Sequence, residues 1–369
     1  MKKVIISGGG TGGHIFPALS IANALKRLDQ EIEILFVGAE GKMEMEKVPE
    51  AGYAIVGLPV RGLRRKLTFE NVKVLWNLWR SLCKAKKIIR DFRPDVVVGV
   101  GGYASGPIGK IAVNAGIPLV LQEQNSYAGV TNKLLAKKAR KICVAYEGME
   151  RFFPADKIVF TGNPVRKSLL LAKDSRAAGI EEYGLDGTKK TVLVTGGSLG
   201  AGSINNAIFK MLDKIASWSD VQVLWQCGSY YYKSLQERLE GKLPANVKLM
   251  PFLKQMDLAY ACADLVVARA GAGTISELCL LGKAVVLIPS PNVAEDHQTK
   301  NAMALVNKNA AIMVRDCEAE ARLVEVVEEL LQQDTKRQQL SMNIQQLGVM
   351  NSDEIIAQEV LKIINEKNN

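Results

Sequence analysis

His14 is one of two histidines in a chain of 369 residues, and it directly follows Gly8-Gly9-Gly10-Thr11-Gly12-Gly13. Histidine is the side chain whose ordinary pKa best suits proton transfer near neutral pH. A supporting hydrogen bond or helix cap is the plainer role for His14. Its place where strand ends converge favours a general base. His297, between Asp296 and Gln298, reads at least equally well as a polar loop contact. A second glycine run, Gly196-Gly197-Ser198-Leu199-Gly200-Ala201-Gly202, and a third cluster, Ala268 to Glu277, also follow apolar strand-like stretches. A glycine-rich turn opening a helix aims backbone N–H groups and the positive end of the helix dipole at an anion such as phosphate. Two such loops, one opening each half of the chain, suggest twin nucleotide-fold domains with a phosphorylated ligand held between them.

Glu277 lies one turn inside the helix that the third cluster opens. It is either a capping-box partner of Thr274, since T-x-x-E fits that motif, or an acceptor for two ribose hydroxyls. Gly8, Gly10 and Gly13 formally satisfy G-x-G-x-x-G, so a dinucleotide and an oxidoreductase enter the comparison. Glu40, the acid nearest the end of the second strand, is a poor ribose partner, and that class leaves the second and third clusters unexplained. Other chemistries lack their residues. The chain has no D-x-D pair for a chelated divalent metal, no G-x-x-x-x-G-K-[ST] loop, no G-x-S-x-G elbow and no Cys/His cluster.

These segments need strands to aim them. Apolar runs at Lys3–Ser7, Ile32–Val37, Ala54–Leu58, Asp95–Val100, Leu119–Gln122 and Ile142–Ala145 alternate with helical stretches at Pro17–Leu28, Phe69–Asp91 and Thr131–Ala139. The pattern restarts at Thr191–Thr195 and continues through Val221–Gln226, Val247–Met250, Leu265–Ala268, Ala284–Ile288 and Ala311–Val314. From Glu318 onward it reads as helix. Such alternation predicts an α/β fold of two doubly wound parallel sheets. The length fits two domains, divided near Asn163–Pro164, where Pro164 interrupts the preceding strand. Gly101 to Pro107 and Glu123-Gln124-Asn125 follow two further strands and line the same carboxyl-end crevice as the first loop.

Hydrophobic content of 48% and charged content of 23% are those of a soluble globular chain. The chain opens on a strand with no signal segment ahead of it, and no apolar stretch is long enough to span a bilayer. The six scattered cysteines read as reduced packing residues of a cytoplasmic protein. Net charge is +10, and between Arg61 and Arg90 ten Lys/Arg face the single acid Glu70, interleaved with Trp76, Trp79 and several leucines. Cations, tryptophan and leucine together fit an anionic lipid surface, and a core-packing helix would show them too. No nucleic-acid-binding motif accompanies the charge.

Seven motifs carry a resemblance along the whole chain: GGGTGGHIFPAL (8–19), GGYASGP (101–107), EQNSYAGVTNK (123–133), TGNPVR (161–166), TGGSLGA (195–201), ARAGAGTISEL (268–278) and DHQTKNA (296–302). In this order they resemble the bacterial MurG-type transferases, which add N-acetylglucosamine to the lipid-linked muramyl-pentapeptide precursor of peptidoglycan. The resemblance implies the glycosyltransferase-B architecture, two Rossmann-like domains facing a cleft. Residues 1–163 would bind the acceptor and membrane, 164–340 the UDP-sugar, and 341–369 would return to the first domain. It implies inverting transfer from UDP-N-acetylglucosamine to the muramyl 4-hydroxyl, with no metal and no cofactor. Donor-contacting positions are then Thr11, Gly12, Gly13, Asn125, Arg166, Ser198, Leu253, Ala272, Gly273, Thr274, Ile275, Ser276, Glu277 and Gln298. Leu253 would act through its backbone, and Gly273 stands where related sequences often carry a bulkier residue. His14 is the candidate base, and Gly101, Gly102, Tyr103, Ser105 and Gly106 would meet the acceptor. The implied partners are UDP-N-acetylglucosamine, the lipid-linked muramyl-pentapeptide and an anionic surface at the cytoplasmic face of the cell membrane. Other cell-wall synthesis proteins are further candidate partners, and no nucleic acid is expected. UDP-sugar 2-epimerases and transferases that glycosylate diacylglycerol remain the neighbouring alternatives.

Overall fold

The computed structural model describes residues 1–60, 70–166, 168–197 and 199–368. Ser198 and the basic residues Arg64, Arg65 and Lys66 lie outside these described residues. The chain divides into two compact units, one of Met1–Val165 with Met350–Asn369 and the other of Arg166–Val349.

The first unit holds strands β1 (Lys3–Ser7), β2 (Glu33–Ala39), β3 (Ala54–Leu58), β4 (Val96–Gly99), β5 (Leu119–Glu123), β6 (Lys141–Val144) and β7 (Ile158–Phe160), in the order β3-β2-β1-β4-β5-β6-β7. All pairings are parallel. Unbroken apolar runs such as Val96-Val97-Val98 are what a sheet covered on both faces requires. Side chains alternate across it. Val4 and Ile6 enter a core with Ile21 and Leu25 of helix Gly12–Leu28 and with Ile356, Val360 and Ile364 of the last helix, Ser352–Asn368. Ile5 and Val97 enter the opposite core, with Ala85, Ile88 and Ile89 of helix Glu70–Phe92.

The second unit holds β8 (Lys190–Thr195), β9 (Val221–Gln226), β10 (Val247–Met250), β11 (Leu265–Ala268), β12 (Val285–Leu287) and β13 (Ile312–Met313), ordered β10-β9-β8-β11-β12-β13 and again parallel. Helices Gly202–Ala216 and Ala319–Gln332 supply Ile204, Ile208, Leu323 and Val327 to its core.

In each unit the strand order reverses beside the strand that feeds a glycine loop: between β1 and β4, and between β8 and β11. Doubly wound sheets bind ligands at the carboxyl ends of strands flanking such a switch point. All three glycine clusters named above, and the Gly101–Gly106 loop, leave one of these four strands.

Several element boundaries differ from the sequence expectation. The first helix starts at Gly12, five residues before Pro17, so His14 lies in its first turn. The strand before Pro164 ends at Phe160, short of the proline. Helices Glu44–Glu50 and Ser105–Asn114 were not anticipated. The C-terminal return to the first unit begins at Met350, and residues 341–349 stay with the second unit.

Candidate active site

In the first unit, β1 ends at Ser7 and the glycines turn the chain into the helix that carries His14. The ring Nδ1 lies 3.1 Å from the Gly9 carbonyl oxygen and 3.3 Å from Thr11 Oγ1. A carbonyl can only accept, so Nδ1 carries the hydrogen and the lone pair of the neutral ring falls on Nε2. The loop after β4 closes over this arrangement. A Cβ on Gly101 (φ +95°) would stand 2.9 Å from His14 Nε2, and one on Gly102 (φ +84°) would strike the Gly9 backbone. Only glycine lets the two loops meet. Ser105 is buried and its hydroxyl lies 2.7 Å from the Ser7 carbonyl and 2.8 Å from that of Gly101, so it braces the loops from behind. Tyr103 is exposed at the rim. Thr11, Gly12, Gly13, His14, Gly101 and Gly102 are therefore one cluster.

Asn125 is placed by a buried carboxylate. Glu123, at the end of β5, accepts from the Asn125 N–H at 3.1 Å, the Gly129 N–H at 2.9 Å and Asn132 Nδ2 at 2.9 Å. Burial pushes its carboxyl above the ordinary 4.5, against the pull of these hydrogen bonds. A raised folded-state pKa makes a stability contribution that is complete below the unfolded value and lost as pH rises through the folded value. The variant Glu123→Gln, which cannot ionise, is therefore expected to gain stability relative to the parent as pH rises from about 4.5 toward neutrality. Urea midpoints across that range measure it; a pH-independent difference would contradict the assignment.

In the second unit, Gly197 (φ +84°) and Gly200 (φ +77°) shape the loop after β8, and a Cβ on Gly200 would strike the Cys227 carbonyl. Gly197 N–H is held by Thr195 Oγ1 at 3.1 Å. The first-turn N–H groups of helix Gly202–Ala216, like those of any helix, have no carbonyl partners inside the helix. In the third cluster Glu277 is not a capping-box partner. Helix Ala272–Leu281 is capped at Gly271 with no side-chain cap bond, so Thr274 is not the cap residue and no capping box forms. Instead the Glu277 carboxylate is shared. Tyr260 Oη donates to Oε2 at 3.1 Å and Arg166 Nη2 donates to Oε1 at 3.2 Å. Burial first, then Glu277 itself, pushes the Tyr260 hydroxyl well above its ordinary range, which keeps it a donor. Burial likewise pushes the Glu277 carboxyl up, opposed by Arg166.

Around the cluster, Ala272 and Ile275 are buried, so any ligand contact there is through main chain; a Cβ on Gly273 would meet nothing. Leu253 is also buried, as a backbone role allows. Gln298 Oε1 accepts from the Ser290 N–H at 2.8 Å, which turns its amide nitrogen outward as a donor. His297 Nδ1 lies 2.8 Å from the Ala294 carbonyl, a local loop contact. Glu40, the weak candidate for a dinucleotide ribose, is paired at the surface with Lys84.

Models of the glycosyltransferase family 28 N-terminal domain and C-terminal domain match residues 4–144 and 191–358. The chain belongs to glycosyltransferase family 28. Among its relatives, the UDP-N-acetylglucosamine–N-acetylmuramyl-(pentapeptide) pyrophosphoryl-undecaprenol N-acetylglucosamine transferase of Bacteroides fragilis is 59% identical over 98% of this chain and 95% of its own. The enzyme of the same name from Flavobacterium psychrophilum is 51% identical over 98% of each. The crystal structure of Acinetobacter baumannii MurG superposes with a TM-score of 0.78 at 27% identity, covering 98% of this chain and 100% of that one. A UDP-GlcNAc 2-epimerase from Neisseria meningitidis reaches 0.67 at 15% identity over 98% and 100%, and shares the glycosyltransferase-B fold alone. Within this family 28 chain, three buried groups beside the expected site residues had no counterpart in the sequence reasoning: Glu44, Tyr260 and the bracing role of Glu123. Gly38, a glycine inside an apolar strand, is the one local signal for the first, because a Cβ there would meet the Glu44 side chain.

Proposed function

We infer that the chain is a UDP-N-acetylglucosamine-dependent hexosyltransferase. It moves N-acetylglucosamine to the 4-hydroxyl of undecaprenyl-pyrophosphoryl-N-acetylmuramyl-pentapeptide in peptidoglycan synthesis. The observation that carries this is the 59% identity, across nearly the full length of both chains, to a transferase of that name. The site chemistry supports it residue by residue. His14 Nε2 takes the proton of the 4-hydroxyl as its oxygen attacks the anomeric carbon from the face opposite UDP. The bond to the β-phosphate oxygen breaks with its electron pair leaving on UDP, so configuration inverts. The Arg166 guanidinium, the first-turn N–H groups of helix Gly202–Ala216 and the Ser198 hydroxyl neutralise the departing diphosphate. Glu277 accepts from the ribose hydroxyls, Leu253 offers main-chain groups to uracil, and Gln298 and Asn125 fix the sugar. Gly101 to Gly106 and Tyr103 receive the acceptor. Labelled UDP-N-acetylglucosamine with the lipid-linked muramyl acceptor should give a β1→4 product and free UDP. An epimer formed from the donor alone, or transfer only to diacylglycerol, would overturn the assignment.

The acceptor's lipid anchor requires docking at a membrane, and among the described residues no helix is long and apolar enough to cross one. Helix Glu70–Phe92 carries Trp76 and Trp79, 57% and 56% exposed and stacked with centroids 5.0 Å apart, beside exposed Leu78 and Arg80. Amphipathic surfaces of this kind lie at the headgroup level of anionic bilayers. Binding to anionic vesicles should fall steeply with salt and with charge reversal at Arg64, Arg65 and Lys66. Salt-insensitive binding would exclude this surface from the cytoplasmic face of the membrane.

A further inference from the structure

Glu44 is 1% exposed, yet no cation pairs with it among the described residues; its carboxylate accepts three backbone hydrogen bonds. Oε2 accepts from the Gly10 N–H at 2.9 Å, and Oε1 accepts from the same N–H at 3.1 Å and from the Ala39 N–H at 2.9 Å. The side chain comes from helix Glu44–Glu50 and passes beneath the first glycine loop, in space kept open by two glycines: a Cβ on Gly9 would strike its carboxylate, and one on Gly38 its Cγ. The carboxylate thus binds the glycine loop through its backbone N–H from the side of helix Glu44–Glu50.

We propose that Glu44 is a positioning residue for the transfer reaction: its carboxylate fixes the Gly9–Gly10 peptides, and through the Gly9 carbonyl it fixes the ring orientation and tautomer of His14. The chain of contacts is continuous. Glu44 holds the Gly10 N–H, the preceding carbonyl of Gly9 then faces the His14 ring, and Nδ1–H donates to it at 3.1 Å. Groups that orient a functional histidine through its second nitrogen set which nitrogen holds the lone pair. Glu44 also ties the loop to the end of β2 at Ala39, so one side chain holds the glycines from below.

The inference rests on the base role of His14, and its test separates the two. Because the chain has two histidines, a spectrum of protein labelled with ¹⁵N-histidine resolves each ring. The parent should show His14 with Nδ1 protonated when neutral. In Glu44→Ala the signal should move toward a mixture of tautomers, with kcat lowered by about 10–100-fold and the KM for UDP-N-acetylglucosamine within about two-fold. Glu44→Gln keeps one acceptor oxygen and should fall between, at about 3–10-fold. If the alanine variant does not fold, the glutamine variant carries the same two readouts. A folded variant with the parental His14 tautomer and kcat overturns the proposal. An altered tautomer with parental kcat overturns both the positioning of the reaction and the base role, whereas loss of stability with an unaltered His14 signal marks a merely structural carboxylate.

Discussion

His14→Ala is expected to lower turnover by about 10²–10⁴-fold, the range that a well-placed general base supplies, while UDP-N-acetylglucosamine binding stays within about two-fold. The separation follows from where the residues lie. Arg166 and Glu277, the proposed diphosphate and ribose partners, are in the second unit, and His14 is in the first. Nδ1 of the ring lies 3.1 Å from the Gly9 carbonyl oxygen, and Nε2 borders Gly101, where a Cβ would stand 2.9 Å away. In the proposed reaction the acceptor hydroxyl approaches that second nitrogen, on the side of the Gly101–Gly106 loop. Single-turnover transfer with saturating donor measures the chemical step directly. Turnover within a few-fold of the parent would remove His14 from proton transfer and leave it as a brace for Thr11 and Gly9.

The second large effect is expected at Glu277. Hydrogen bonds from hydroxyls to a charged acceptor are worth about 1.5–3 kcal/mol each, or about 10–100-fold in affinity. Glu277→Ala should weaken UDP-N-acetylglucosamine binding by that order, and a donor lacking the ribose hydroxyls should bind parent and variant alike. That comparison matters because the carboxylate also holds Arg166 and Tyr260, so affinity alone would not distinguish a ribose contact from a local collapse. Calorimetric titration with both nucleotides gives the answer. A parent that does not discriminate between them would refute the ribose assignment.

The parts of the fold that were legible in the sequence are those set by local chemistry. Apolar runs ending in glycine located β1, β4 and β8 together with their turns, because the left-handed backbone at Gly10, Gly101 and Gly197 leaves little choice of residue. What escaped depends on contacts between distant residues. Helix Glu44–Glu50 is short, acidic and interrupted by Pro49, so no periodicity announces it, although it delivers the carboxylate beneath the loop. The T-x-x-E pattern at Thr274 suggested a cap because it is local. The turn actually begins at Gly271, which moves Glu277 off the helix end and toward Tyr260, 17 residues earlier in the chain. Strand β7, expected as the strand before Pro164, is a three-residue edge paired only with β6, too brief for the sequence to fix where it ends.

The return of the last helix to the first sheet sets an order of assembly. Residues 166–349 form a continuous insert, complete in itself, between two stretches that must find each other. Val4, Ile6 and Leu25 share their core with Ile356, Val360 and Ile364, and Arg27 pairs with Asp353 at 2.6 Å across the same junction. On a ribosome, where chains fold from the N-terminus as they emerge, one face of the sheet that carries His14 would stay only partly covered, by helix Gly12–Leu28, until the second unit had been made. The unit that carries His14 is thus the first to be started and the last to be finished.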